Sequence, residues 1–318
     1  MSKRTSLLLF LTFCYTVIIA QQIPSYTQST NYYIAYNPAF TGLKTNINLL
    51  TDYRTQWVGF EGAPVTQSVM LDSRLWKGKL GIAGEVVSDE TGPYKRMIYD
   101  LNAAYHIKFP DVVLSFGASF NENKTFWDTR LVSVHNSQDP AVDRTLTEFR
   151  WIPNANFGVL LHNDRFQIGL SAVNLFENHA TYYNGDPGHT AKVTLKPNYY
   201  FNVGYNYGAN PDFIWQNTLI AMYSPASAIG IEYNLKLNMK KLLWFGTDIR
   251  IGDAIALQGG FIIINKIQIG YSYDFVTFPL NSYQHGTNEV TLTYKTNLEP
   301  DSKYRRVNEF VHQRYFLF

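Results

Sequence analysis

Few side chains in this sequence are spaced for catalysis. The seven histidines are scattered along the chain, at His106, His135, His162, His179, His189, His285 and His312. None belongs to an H-E-x-x-H zinc motif, and neither the G-x-S-x-G nucleophile elbow nor the G-x-x-x-x-G-K-[ST] phosphate loop is present. The sequence therefore predicts no catalytic residue, no cofactor and no enzymatic activity.

Two places could bind a metal ion, and both favour a plainer interpretation. Asp139 and Asp143 flank a short D-P-A-V-D run, and carboxylates are good Ca²⁺ ligands. An ordinary Asp-Pro turn explains the same run. His189 follows a turn-forming N-G-D-P-G sequence and is also best explained by a turn. We predict no metal site.

The N-terminus has the organisation of a secretory signal peptide. Lys3 and Arg4 precede an apolar run over residues 6–20, and cleavage after Ala20 would remove the only cysteine, Cys14. A membrane anchor is disfavoured because the run is short for a bilayer and a polar segment follows it. We expect an exported, disulfide-free protein. The formal net charge of +2 gives no reason to expect a nucleic-acid partner.

The remaining sequence must supply the elements that position any site, and it is dominated by alternation. Ile269 and Tyr271, for example, alternate with Gly270 and Ser272. A period of two predicts strands with two different faces. We place fourteen strands, at 45–57, 64–75, 79–88, 95–108, 112–121, 156–162, 166–173, 197–208, 211–223, 227–237, 242–251, 254–264, 267–276 and 287–295.

The predicted connections fall into two sets. One side has tight turns, at 76–78, 109–111, 163–165, 208–211, 238–241 and 265–266. The other side has longer connections, at 59–63, 89–94, 122–155, 174–196 and 277–286, with short links at 224–226 and 252–253. This asymmetry is typical of outer-membrane barrels. We predict an all-β fold, an antiparallel up-and-down transmembrane β-barrel of about 14 strands with short periplasmic turns and longer extracellular loops.

A soluble β-sandwich shows the same alternation, so other features must decide between lipid and water. Aromatic residues make up 16% of the chain, and several, such as Trp76 and Trp215, lie near predicted strand ends as interfacial girdles require. The polar faces are too polar and too rich in glycine for a dry core. Outer-membrane lipid is the expected surrounding. A secreted soluble β-protein that binds glycans is the alternative.

Five glycines fall on the predicted inner face, at Gly117, Gly169, Gly204, Gly230 and Gly270. They could leave space for a plug or a bound chain. They could also let the barrel wall bend, and this is the interpretation we favour.

Two blocks near the N-terminus resemble a known family. The sequence YNPAFTG at 36–42, followed by RTQWVGFEGAPVTQ at 54–67, is similar to the opening of the PorP/SprF family, the outer-membrane component associated with type IX secretion and gliding. Shorter similarities continue at 89–94, 252–254 and 269–274, so the resemblance covers residues 26–294. It departs from the family at 298–318, where the chain continues past the last predicted strand.

The resemblance implies a barrel without enzymatic activity that works with the type IX translocon and its periplasmic ring components. It also implies support for export or surface attachment of a large adhesin with a C-terminal sorting signal. The opening blocks supply the candidate partner-binding residues: Asn37, Pro38, Gln56, Trp57, Gly59, Phe60, Gly62 and Pro64. Trp57 and Phe60 flank Gly59 at the predicted rim, where they could grip a polypeptide. They could equally anchor the barrel at the membrane interface.

The expected organisation has four parts: a signal peptide at 1–20, a pre-strand segment at 21–43, the barrel at 44–296 and a C-terminal periplasmic tail at 297–318. Asn37-Pro38 and Thr41-Gly42 are turn formers, so the pre-strand segment is expected to be compact rather than helical and to tuck into the barrel mouth. The tail is either a docking segment for a periplasmic partner or a frayed end. The alternative function is a channel for small or apolar solutes.

Overall fold

A computed structural model describes residues 25–43, 46–128, 147–183, 190–210, 212–225, 227–264 and 266–297. The predictions made for the signal peptide at 1–20, for Asp139, Asp143 and His189, and for the tail at 297–318 beyond Asn297 lie outside these residues.

Fourteen antiparallel strands close into one barrel, and a two-stranded hairpin forms a separate sheet. The barrel strands are β1 Asn46–Thr55, β2 Val65–Leu75, β3 Leu80–Thr91, β4 Tyr94–Lys108, β5 Val113–Asp128, β6 Thr147–His162, β7 Phe166–Val173, β10 Asn198–Asn210, β11 Phe213–Ser224, β12 Ser227–Met239, β13 Leu243–Arg250, β14 Ala254–Ile263, β15 Ile267–Val276 and β16 Thr287–Asn297. The hairpin pairs β8 His179–Tyr183 with β9 Thr190–Thr194. The first strand pairs with the last, from Asn46↔Asn297 to Thr55↔Asn288, so the sheet has no free edge.

The two faces of the wall differ in the way expected in lipid. In β2, Ser68 and Met70 are buried, whereas Val69 and Leu71 are 50% and 51% exposed. Across the barrel the buried side chains are mostly polar or charged and the exposed ones are mostly large and apolar. A soluble protein would bury the apolar face. Here the backbone groups of the closed sheet form hydrogen bonds between strands, and the apolar face points outward. This arrangement is stable when acyl chains surround the barrel.

The predicted strand number is confirmed, but three connections differ from prediction. The expected loop at 89–94 is a tight turn, because β3 and β4 stay paired up to Thr91↔Tyr94. Strands β5 and β6 extend beyond their predicted ends and pair as far as Asp128↔Thr147. The predicted loop at 174–196 contains the hairpin β8–β9. Polar residues made the β5–β6 region look like a loop, but Asn123 and its neighbours face a polar lumen and keep strand pairing.

The barrel has two distinguishable ends. We call the end where β1 begins the turn end, because the connections there, such as β2–β3, β4–β5 and β14–β15, are short. The opposite end is called the loop end. The segment that precedes β1, residues 25–43, lies inside the barrel, and we call it the plug segment. It contains 3₁₀ turns at Ser29–Asn31 and Pro38–Phe40 and one short helical turn, α1, at Tyr33–Tyr36. Its compactness was expected; the helical turn was not.

Candidate functional site

A network of buried ion pairs lies along one side of the lumen, towards the loop end. Arg54 on β1 contacts Asp274 on β15 and Glu289 on β16, each with an N–O distance of 2.9 Å. Arg250 on β13 contacts Asp274 at 2.6 Å and Asp248 at 2.8 Å. These side chains meet because all five residues occupy inward positions within one run of neighbouring strands, from β13 to β1, about a third of the wall. Strand β14 separates β13 from β15, and there the small Ala256 is the register partner of both Asp248 and Asp274, which leaves the lumen free for the arginine.

The plug segment is bound to this network by three consecutive residues. The Glu289 carboxylate accepts hydrogen bonds from the backbone amides of Thr27, at 2.7 Å, and Gln28, at 2.8 Å. The Thr27 hydroxyl donates to Asp274 at 2.7 Å, and the Ser29 hydroxyl donates to Glu232. Charge-assisted hydrogen bonds of this kind are about twice as strong as neutral ones. The carboxylates therefore serve both the wall and the plug.

The remainder of the plug segment is attached to other parts of the wall. Its contacts reach β11 through Tyr33 and Thr218 (2.9 Å), β7 through Ser171 and the Tyr36 carbonyl (2.6 Å), and β2 through Asp72 and the Gly42 amide (2.6 Å). His106 on β4 lies 3.0 Å from the Thr41 carbonyl oxygen. Because these strands surround the lumen, the plug segment spans it from side to side.

Aromatic packing fills the space between these polar contacts. Tyr26 and Tyr32 stack with ring centroids 4.2 Å apart, and both side chains are almost completely buried. Burial raises the pKa of both phenols well above the ordinary value for tyrosine, so they stay neutral. Tyr32 also lies 3.0 Å from the Ser68 hydroxyl, which donates to it. The plug is thus anchored by apolar contact as well as by charge.

Inward glycines allow the close approach of the plug to the wall, and Gly117 and Gly270 are two examples. A Cβ on Gly117 would collide with the backbone of Pro38 and Ala39. A Cβ on Gly270 would collide with the Gln28 side chain and lie 2.8 Å from Trp244. The interpretation that was not preferred, that inward glycines leave space for a plug, is therefore supported at both positions.

The loop between β1 and β2 folds against the loop between β15 and β16. The Trp57 amide donates to the Thr287 hydroxyl at 3.1 Å, and its ring meets Phe278 edge to face at 6.1 Å. The backbones of the two loops exchange hydrogen bonds, from Val58 to the Gly286 carbonyl at 2.9 Å and from His285 to the Val58 carbonyl at 2.6 Å.

We call Trp57, Val58, Phe60, Phe278 and Tyr283 the loop-end patch. Phe60 is 45% exposed and Tyr283 is 74% exposed. The patch is therefore an accessible aromatic surface on a hydrogen-bonded support.

The eight candidate partner-binding residues divide between these two places. Asn37 and Pro38 lie in the plug, where Asn37 accepts from the Ala39 amide at 2.9 Å and donates to the Val159 carbonyl at 3.3 Å. The other six lie in the β1–β2 loop: Gln56, Trp57, Gly59, Phe60, Gly62 and Pro64. Asn37 and Pro38 are buried and have a packing role here.

The ion-pair network was missed at the sequence level. Its signal was available, since charged residues occupy the inward positions of strands β1, β13, β15 and β16. Within the described ranges, no group of three or more His, Cys, Asp or Glu side chains is placed to hold a metal ion. No helix among the same residues is long and apolar enough to cross a membrane.

The fold defines a class: this is an integral β-barrel of the outer membrane. Among solved structures it resembles the CymD monoaromatic hydrocarbon channel, with a TM-score of 0.52 and 11% identity over 82% of this chain and 91% of that one. A FadL homologue from Pseudomonas aeruginosa gives a TM-score of 0.50 at 10% identity, over 82% and 92% of the two chains. At such identities the likeness shows the fold alone.

The family is identified by sequence. The family described as type IX secretion system membrane protein PorP/SprF matches residues 18–294. The chain belongs to this family, which confirms the resemblance carried by its opening blocks. No match was found among curated proteins.

Proposed function

We propose that this protein is a non-enzymatic barrel of the type IX secretion and gliding machinery that supports secretion or surface attachment of a large adhesin with a C-terminal sorting signal. The plug segment is the observation that carries the proposal. It is bonded to the wall on several sides through contacts such as Glu289–Thr27 and Ser171–Tyr36. A lumen crossed in this way favours a docking role, in which cargo leaves through the translocon and this barrel holds it.

The two ends of the barrel fit different partners in this proposal. The loop-end patch offers Phe60 and Tyr283 to the adhesin, since exposed aromatic residues on a rigid support are typical of binding hot spots. The turn end faces the periplasm and its ring components. An anchoring role for Trp57 at the membrane interface stays open as the other interpretation.

Deletion of the gene tests the proposal. Surface display of one large adhesin should be lost while other type IX cargo is secreted normally. Loss of every cargo, or of none, would contradict the assignment.

A patch variant tests the proposed binding surface. Phe60→Ala with Tyr283→Ala should lower adhesin display severalfold, because truncation of a hot-spot aromatic costs roughly 2 kcal/mol or more. Leu175→Ala with Phe176→Ala is the matched control, since these side chains are also exposed and lie between β7 and β8, away from the patch. Both proteins must be present in the outer membrane at equal levels. Equal adhesin display by the two variants would show that the loop-end patch does not bind the adhesin.

The channel alternative makes the opposite prediction for purified protein. A barrel whose plug stays in place should be silent in planar bilayers, whereas a solute channel should give steady conductance. Conductance from the unmodified chain would therefore favour transport over docking.

A further inference from the structure

Positive charge is concentrated at the turn end of the barrel. In the part of the chain that the structure describes, five of the six connections at this end carry a lysine or arginine in the turn or directly beside it. The cations are Lys79, Lys108, Arg165, Lys240, Lys241 and Lys266, and Lys295 lies close to the end of β16. The carboxylates of the same described connections are fewer, namely Asp111, Asp164 and Asp212. The turn end therefore has an excess of positive charge.

The two ends of the barrel differ in how their exposed cations are balanced. At the loop end, Lys95 pairs with Glu90 at 3.2 Å and Lys196 pairs with Glu177 at 2.7 Å. At the turn end, three exposed cations form no hydrogen bond or ion pair with another described residue through their side chains: Lys79, Lys240 and Lys266. Their charge is available to an anionic partner, and several cations on one rim act together on a polyanion.

The basic residues lie around the mouth of the lumen. Lys108 continues the inward row that contains the buried His106 on β4, and Lys295 belongs to the inward row of β16. The His106 amide donates to the Lys79 carbonyl at 2.8 Å, and the Lys295 amide donates to the Lys266 carbonyl at 2.8 Å. Lys79 and Lys266 are thus held beside these two inward rows. We call Lys79, Lys108, Lys266 and Lys295 the basic mouth.

Two features of the mouth favour a polypeptide over lipid or glycan. The outward neighbours at the same level are apolar, with Ile107 37% and Ile263 44% exposed, so phospholipid headgroups beside the wall meet few cations there. Inside the mouth, Ile34 and Leu43 of the plug are half-buried and lie on the same side of the lumen as Lys295. A polypeptide can present carboxylates and an apolar side chain together, which matches both surfaces.

We propose that the basic mouth is a docking surface for an acidic polypeptide segment, rich in aspartate or glutamate and carrying at least one apolar side chain. The inference rests on the proposed function, in which the turn end faces the periplasmic part of the machinery, and it names the chemistry of that partner. Carboxylates of the segment pair with the mouth lysines, and the apolar side chain contacts Ile34 and Leu43. Since the lysines are exposed, binding weakens as salt is added.

Photo-cross-linking in intact cells tests the proposal on the full-length protein. With p-benzoylphenylalanine in place of the exposed Asp111 in the β4–β5 turn, light should give an adduct whose cross-linked peptide has a net negative charge. The triple variant Lys79→Glu, Lys108→Glu, Lys266→Glu should lower the adduct at least about fivefold, because rim charges set the rate of encounter.

The matched control makes the same change of charge at the loop end, with Lys95→Glu, Lys192→Glu and Lys196→Glu. It should leave the adduct unchanged, and heat-modifiable migration on gels confirms that all the barrels are folded. Equal adducts in the two triple variants, no adduct, or an adduct with a neutral or basic segment would overturn the proposal. An adduct that a peptidoglycan hydrolase releases would assign the mouth to the cell wall and would also overturn it.

A binding measurement on purified full-length protein uses a defined probe. The probe is a fluorescent peptide of Glu-Glu-Leu-Glu repeats, and the barrel is held in phosphatidylcholine nanodiscs. The turn-end triple variant should raise the Kd at least about tenfold, whereas the loop-end triple variant should not change it. Equal Kd values for the two variants, or loss of peptide binding when phosphatidylglycerol is added to the nanodisc, would refute a polypeptide site. Neither measurement uses adhesin display, so failure here is distinguishable from failure of the proposed function.

Discussion

The strongest test of the plug's attachment is the removal of the charge on Arg54. Its side chain is 2% exposed and forms ion pairs of 2.9 Å with Asp274 and Glu289. In Arg54→Met, Asp274 keeps its 2.6 Å contact with Arg250, but Glu289 is left as an unpaired buried carboxylate. Breaking a buried pair by removing one partner costs about 3–5 kcal/mol. Glu289 also accepts hydrogen bonds from the backbone amides of the plug. The variant should therefore weaken the attachment of the plug as well as the stability of the wall.

The matched control is Lys95→Met. Lys95 contacts Glu90 at 3.2 Å, but the two side chains are 45% and 53% exposed. An exposed pair contributes only about 0–1 kcal/mol. Urea unfolding from lipid vesicles should therefore separate the two variants by about 2 kcal/mol or more, and planar bilayers should show conductance only for Arg54→Met.

A double variant distinguishes an uncompensated charge from lost packing. Arg54→Met with Glu289→Gln should regain part of the lost stability, because no buried charge is left unpaired and an amide carbonyl can still accept from the plug. Equal destabilisation by Arg54→Met and Lys95→Met would refute the reasoning that the buried pairs hold the plug. A silent Arg54→Met barrel would show that the remaining contacts suffice.

Two further predictions concern the plug and the lipid-facing wall. Gly117→Ala should expose the plug to protease and open a conductance, because the added methyl meets the plug backbone, whereas Gly84→Ala should be tolerated, since its nearest neighbour is Leu101 Cδ2 at 3.8 Å. Leu71→Arg, in the middle of β2 on the lipid side, should cost about 2–4 kcal/mol, whereas Leu242→Arg, in a turn at the membrane edge, should cost about 0–1 kcal/mol. The stability of the two arginine variants is compared by the fraction of folded protein recovered in outer-membrane vesicles. Equal recovery would contradict a lipid-facing β2.

Individual residues show how far the pattern of the sequence could be followed. The alternation through Ile269 and Tyr271 predicted strand β15 to the residue, at 267–276. The alternation in β5 was hidden after residue 121, where Asn123 and Thr125 look like loop residues although both are buried in the lumen. A polar lumen removes the contrast between a strand's inner face and a loop. The predicted strand boundaries were therefore least accurate where a strand with a polar inner face continues into a polar loop.

The sequence by itself determined the strand number, the closed all-β architecture, the outward apolar face and the family. Each of these depends on local alternation, turn chemistry or residue order, which a linear pattern records. Only the tertiary structure decided that residues 25–43 lie inside the barrel, that Gly117 and Gly270 make room for them, and that Arg54 meets Asp274 and Glu289. The contacts of Arg54 join residues more than 200 positions apart, and they exist because closure of the barrel places β1 beside β16 and β15 next to it.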